Sequence, residues 1–131
     1  MANEWILMVE TELPIGMTCS NTTGIEKGTV LKMTDPMTVA AATGDNDTFG
    51  GIAAEEKIAL DGKTKIGVYF DGIFKGLVGA AGITVGKQVS ISGANAVVDG
   101  AAADNDLGYV VGKSLETATS TETALIFVGR T

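Results

Sequence analysis

The sequence predicts an all-β protein: a small Gly-rich barrel or sandwich-like domain built from two similar β units, with an extended N-terminal arm. Three observations carry this. Eighteen glycines stand against only two prolines in 131 residues, which supplies the positive φ that tight turns need and leaves few breaks inside strands. Apolar residues alternate with polar ones over short runs, the period of a half-buried strand. The chain also resembles itself when slid by 58 positions, Gly24 falling on Gly82.

Residues 1–23 come first. Trp5, the only tryptophan, opens the apolar pentad Trp5-Ile6-Leu7-Met8-Val9, followed by Leu13, Pro14, Gly16 and the polar run Thr18-Cys19-Ser20-Asn21-Thr22-Thr23. The segment reads as an arm, or equally as one more strand. The pentad is too short for a signal core or a membrane span, and Met-Ala-Asn-Glu lacks a basic lead, so synthesis in the cytoplasm and no membrane partner are expected.

Residues 24–131 read as one β domain. Leu31 and Met33, then Ile66, Val68 and Phe70, then Val89 and Ile91, then Ala124, Ile126 and Val128 alternate as strands do. Turn-forming clusters separate them at Thr43-Gly44-Asp45-Asn46-Asp47, Leu60-Asp61-Gly62-Lys63, Ser92-Gly93-Ala94-Asn95 and Ala103-Asp104-Asn105-Asp106. Ala53–Leu60 contains good helix formers, but Ile52, Ala54, Ile58 and Leu60 also alternate, and the strand reading is preferred. At the offset of 58, residues 24–73 align with 82–131. Gly24, Ile25, Gly28, Val39 and Gly50 then meet Gly82, Ile83, Gly86, Val97 and Gly108, Ile52 meets Val110, and Val68-Tyr69-Phe70 meets Ile126-Phe127-Val128. Five identities are near chance, so the weight rests on the agreement of turns with alternation.

Composition removes several chemistries. There is no histidine, and Cys19 is the only cysteine, which excludes a Cys/His zinc site, a disulfide and His-based catalysis. A net charge of −7 repels phosphate backbones, so nucleic acid is not an expected partner. Asp45-Asn46-Asp47 begins like a calcium loop but lacks its later glycine and glutamate, and a turn explains it better. Gly112-Lys113-Ser114 resembles the end of a phosphate loop, yet Leu107 stands where the first glycine belongs, and Gly72, Gly76, Gly79 and Gly82 lack a strand-to-helix setting. Glu55 and Glu56 are adjacent and point to opposite faces if they lie on a strand. Cys19 has no imidazole to activate it. No cofactor, no metal and no enzymatic activity are expected. Surface recognition remains, and a chain with few large core residues gains from self-association.

With the pentad Trp5–Val9, the runs Gly28-Thr29-Val30-Leu31-Lys32, Gly50-Gly51-Ile52-Ala53 and Val68-Tyr69-Phe70-Asp71-Gly72-Ile73, and the later runs Gly86-Lys87-Gln88-Val89-Ser90-Ile91 and Leu107-Gly108-Tyr109-Val110-Val111-Gly112, the chain resembles the decoration, or cement, proteins that coat tailed-phage capsids. The resemblance implies a β-rich homotrimer that binds the phage major capsid protein on the outer surface of the assembled shell and stabilises it. By position it assigns docking to the N-terminal arm: Trp5, Ile6, Leu7, Met8, Val9, Leu13 and Pro14. Three weak arms on one trimer would gain about 10²–10⁴ in avidity. Two expectations follow: deletion of residues 2–13 leaves a folded oligomer, and Trp5→Ala weakens docking while barely moving the melting temperature. A tail or baseplate accessory protein and a carbohydrate-binding module are the alternatives, the latter disfavoured by one tryptophan and two tyrosines.

Overall fold

A computed structural model describes residues 4–44, 47–101 and 103–129. The strands are β1 (Ile6–Val9), β2 (Ile15–Thr18), β3 (Val30–Asp35), β4 (Thr38–Ala41), β5 (Phe49–Ala53), β6 (Lys65–Tyr69), β7 (Gly72–Val78), β8 (Gln88–Gly93), β9 (Ala96–Asp99), β10 (Val110–Ser114) and β11 (Thr123–Val128). One helical turn, α1 (Asp104–Leu107), interrupts them. It forms where a turn is expected, because the Asp104 carboxylate accepts from Ala101 N–H at 2.9 Å and Ser90 Oγ at 2.8 Å, fixing the chain where it enters the helical turn.

The strands close into two five-membered circuits of identical order. The first runs β2-β4-β3-β5-β6, and the second runs β7-β9-β8-β10-β11 with β1 added to the side of β7. In each, one parallel contact closes the ring, β2 with β4 and β7 with β9; the other pairings are antiparallel. Closure leaves few unpaired backbone edges. The all-β barrel built from two similar units is the observed architecture, with alternation where the sequence placed it: Ile66 and Val68 of β6, Val89 and Ile91 of β8, and Ala124, Ile126 and Val128 of β11 point inward.

The two units match in hydrogen bonds as well as in order. Ile25 exchanges backbone bonds with Lys57 as Ile83 does with Ala118, and Gly28 N–H donates to Ala53 O as Gly86 N–H donates to Ser114 O. Cys19 N–H donates to Thr64 O as Val78 N–H does to Glu122 O. These pairs fix the equivalences. The offset of 58 holds for β3, β4 and β6, but β5 and its following loop correspond to β10 at 61 (57 to 118), because α1 lengthens the second unit just before β10. Gly50 therefore does not match Gly108, nor Ile52 Val110. Gly50 is the extra residue of a bulge between Phe49 and Gly51, and its equivalent is Val111, the extra residue between Val110 and Gly112.

Two further readings are corrected. The repeat reaches back past residue 24: β2, drawn from the N-terminal segment, is a full member of the first barrel, equivalent to β7. Ala53–Leu60 is not one strand. β5 stops at Ala53, only Lys57 keeps a single bridge to Ile25, and Leu60 turns at a φ of 62°. The bend belongs to the shared backbone plan, since Thr121, the equivalent of Leu60, turns at a φ of 68° in the loop where Ala118 replaces Lys57; particular to this loop is Lys57 itself, whose side chain is 1% exposed. Its Nζ donates to Asn21 O at 3.1 Å, Ile58 O at 2.8 Å and Asp61 Oδ1 at 2.9 Å. Burying an ammonium demands that many acceptors, and the bent loop supplies them.

Candidate interaction surface

Trp5 anchors the N-terminal segment. It is 3% exposed and lies between the barrels, its backbone N–H donating to Gly28 O at 2.9 Å and its Nε1 to Asn95 O at 2.8 Å. Its ring centroid is 6.5 Å from that of Phe74, which in turn meets Tyr69 at 5.8 Å edge-on. Two glycines make room. A Cβ on Gly28 would stand 2.5 Å from Trp5 O, and one on Gly76 would stand 2.5 Å from the indole. Asn95, at a φ of 60°, ties the junction from the other side: its Oδ1 accepts from Val30 N–H at 2.9 Å.

Trp5 is therefore core, not a docking side chain. Its substitution is expected to cost stability, and deleting residues 2–13 would remove both this wedge and β1, reversing both expectations drawn from the sequence. The rest of the segment is ordered but open. In β1, Ile6 pairs with Lys75, Leu7 with Phe74 and Val9 with Ile73; Leu7 is half-buried against the core, whereas Ile6, Met8 and Val9 are exposed. Beyond β1 the chain is held by Tyr69 Oη donating to Glu10 Oε2 at 2.9 Å and by a hydrogen bond from Thr11 Oγ1 to Asp71 Oδ1. The hydrogen bond to Glu10, then burial, raises the Tyr69 phenol above its ordinary value. Leu13 is 76% exposed, and Pro14 and Ile15 are exposed beside it. The structure thus brings Ile6, Met8, Val9, Leu13 and Pro14 out to solvent and takes Trp5 in. A cleft of about 400 Å³ opens beside Trp5, lined also by Lys27, Leu7 and Tyr69.

The remaining candidates have structural explanations. Asp45 and Asn46 lie outside the described residues; Asp47 Oδ2 accepts from Thr43 N–H and Gly44 N–H. Lys113 is in β10, where Gly112 packs on Phe127 backbone too closely for any side chain. Glu55 bonds Lys63 Nζ at 3.1 Å and Gly67 N–H. Cys19 is buried, and burial pushes its thiol up. Among the described residues no group of three or more His, Cys, Asp or Glu is arranged to hold a metal. Asn95, Gly28 and Gly76 were not singled out as functional; Asn95 appeared only as a turn residue, and a lone Trp before a β protein's glycines is the one signal that could have pointed to the wedge.

These features define a class of fold: two closed five-strand barrels in tandem, with β1, the strand that precedes the first barrel, folded onto the second. No protein-family model matches the chain, and no curated protein sequence matches it. Among solved structures, the crystal structure of the head fiber gp8.5 N base in bacteriophage phi29 is similar, with a TM-score of 0.56 at 14% identity, over 92% of this chain and 94% of that one. At that identity the likeness is one of fold, and it extends over both barrels.

Proposed function

We propose that this protein is a structural component of a tailed-phage virion that binds the outer surface of the assembled capsid and stabilises it as a decoration protein, acting as a homotrimer and catalysing nothing. The observation that carries the reading is the shared fold with a phage head-fibre base over nearly the whole of both chains. The exposed apolar strip Ile6, Met8, Val9, Leu13 and Pro14 supports it as the surface that meets the major capsid protein. Exposed apolar groups gathered along a single ordered segment mark an interaction site more than scattered ones do. Three such strips on one trimer would act together on a repeating shell.

The test is co-sedimentation with expanded capsids. Ile6→Asp combined with Leu13→Asp is expected to abolish pelleting while leaving circular dichroism and the melting temperature of the free protein unchanged, since both side chains are solvent-exposed. Full pelleting of that folded variant would refute the strip. Pelleting with purified tails and not heads would favour a tail or baseplate role.

A further inference from the structure

The two barrels of one chain meet through unlike surfaces. The second barrel contributes the tip of its β8–β9 hairpin, Asn95, and Phe74 of β7; the first contributes the start of β3 at Val30, with Gly28 and Tyr69. Contacts of this kind are heterologous, so each barrel retains, unused, the counterpart of the surface that the other has spent.

Those unused counterparts are apolar and open. On the first barrel the equivalents of Phe74 and Asn95 are Ile15 and Met37, both exposed. Met37 sits at a φ of 53°, at the tip of the β3–β4 hairpin, as Asn95 sits at 60° between β8 and β9. Beside Ile15, the half of β2 that corresponds to the β1-covered half of β7 pairs only with β6. On the second barrel the equivalents of Gly28, Val30 and Tyr69 are Gly86, Gln88 and Phe127, and the exposed Val85 and Leu115 flank the backbone bond from Gly86 N–H to Ser114 O. Gly86 shares the positive φ of Gly28, yet a Cβ there would meet nothing within 4 Å, whereas Gly28 is covered by Trp5.

The junction within the chain also fixes the kind of symmetry. Phe49 N–H, at the start of β5, donates to Gly108 O, just before the equivalent strand β10. Equivalent parts touch only near a rotation axis; a translation would leave them a barrel's width apart. A half-turn would seat Met37 on β8 as Asn95 is seated on β3, and Met37 is instead 56% exposed. The relation between the barrels is therefore not a half-turn, and the faces it leaves unused can pair only head to tail, the first barrel of one copy with the second barrel of the next.

We infer that copies of this chain join through the Ile15–Met37 face of one and the Val85–Leu115 face of the next. The inference rests on the multi-copy part of the function proposed above and names its surface; capsid binding plays no part in its test. Light scattering on the free protein is expected to give three times the 13.4 kDa chain mass. Met37→Asp and Val85→Asp, each carrying one spoiled face, are expected to run as single chains with unchanged circular dichroism, and Leu115→Asp repeats the second result at an independent position. An equal mixture of Met37→Asp and Val85→Asp is expected to form two-chain particles, because each variant retains the face the other lacks. Ile58→Asp, on an exposed residue outside both faces, retains the wild-type mass. A monomeric wild type, a folded face variant that retains the wild-type mass, or a mixture that stays monomeric would each overturn the inference; retained mass with lost capsid binding would leave it standing and sink only the docking strip.

Discussion

The two barrels have the same strand order, the same bulge and the same hairpin geometry, yet they are stabilised differently. The second is clamped from outside: β1 lies along β7, and Trp5 and Asn95 fix it to its neighbour. The first is held from inside its end loop, where Lys57 gathers three oxygens at the position that Ala118 fills with a methyl group. One backbone plan therefore tolerates two solutions, an apolar wedge between units or a buried ammonium within one. The difference teaches that the duplicated framework, and not any particular core residue, specifies the fold.

The largest effect on this contrast is expected from Trp5→Ala. Removing the indole leaves a hole between Gly28 and Gly76 and strands Asn95 O, and a loss of about 3–5 kcal/mol is expected from truncating a buried tryptophan. Thermal unfolding measures it; an unchanged melting temperature would return Trp5 to the surface.

Lys57→Ala, which copies the second barrel into the first, comes next. It leaves Asn21 O, Ile58 O and Asp61 without their ammonium, and about 3 kcal/mol is expected for breaking such a buried arrangement. The same site predicts a pH response. The hydrogen bond from Lys57, and then the backbone N–H of Lys63, hold the Asp61 carboxyl below the ordinary carboxylate value. A depressed folded-state value contributes stability that is present above the unfolded value and lost as pH falls through the folded one. Acid should therefore cost the wild type more stability than it costs Lys57→Ala. Equal loss of stability by the two proteins between neutral and acid pH would contradict this.

The smallest expected effect separates the two hairpin tips. Asn95→Ala removes the acceptor for Val30 N–H inside the junction and is expected to cost about 1–3 kcal/mol. Met37→Asn, at the matching exposed tip, should be neutral or stabilise by under about 1 kcal/mol, because asparagine tolerates the left-handed region better than methionine. Denaturant titration of the two variants reads both signs.

Much of this architecture was legible in the sequence because its signals are local. Alternation at Ile66-Val68 and Ala124-Ile126-Val128, and glycine at positions 28 and 86, report strand face and turn conformation directly. What stayed hidden depended on distance or on context. The shift of β10 by three residues followed from the helical turn at Asp104, and an ungapped comparison matched Gly50 with Gly108 by coincidence. Lys57 carries no signal of its own, since nothing near it in sequence shows that Asn21 O reaches its Nζ. Trp5 read as a docking residue because Gly28 and Gly76 form its slot only after both barrels close. The exposed strip from Ile6 to Pro14 was legible as an apolar segment, but which of its side chains face water was decided by pairing with β7.

The bond from the Trp5 indole to Asn95 spans 90 positions in the chain. Contacts between such remote partners form late, since the chain between them must be ordered before the ends can meet. A ribosome-bound fragment lacking the C-terminal barrel has nowhere to put its only indole, and tryptophan fluorescence should consequently report completion of the whole molecule and not the maturation of either half.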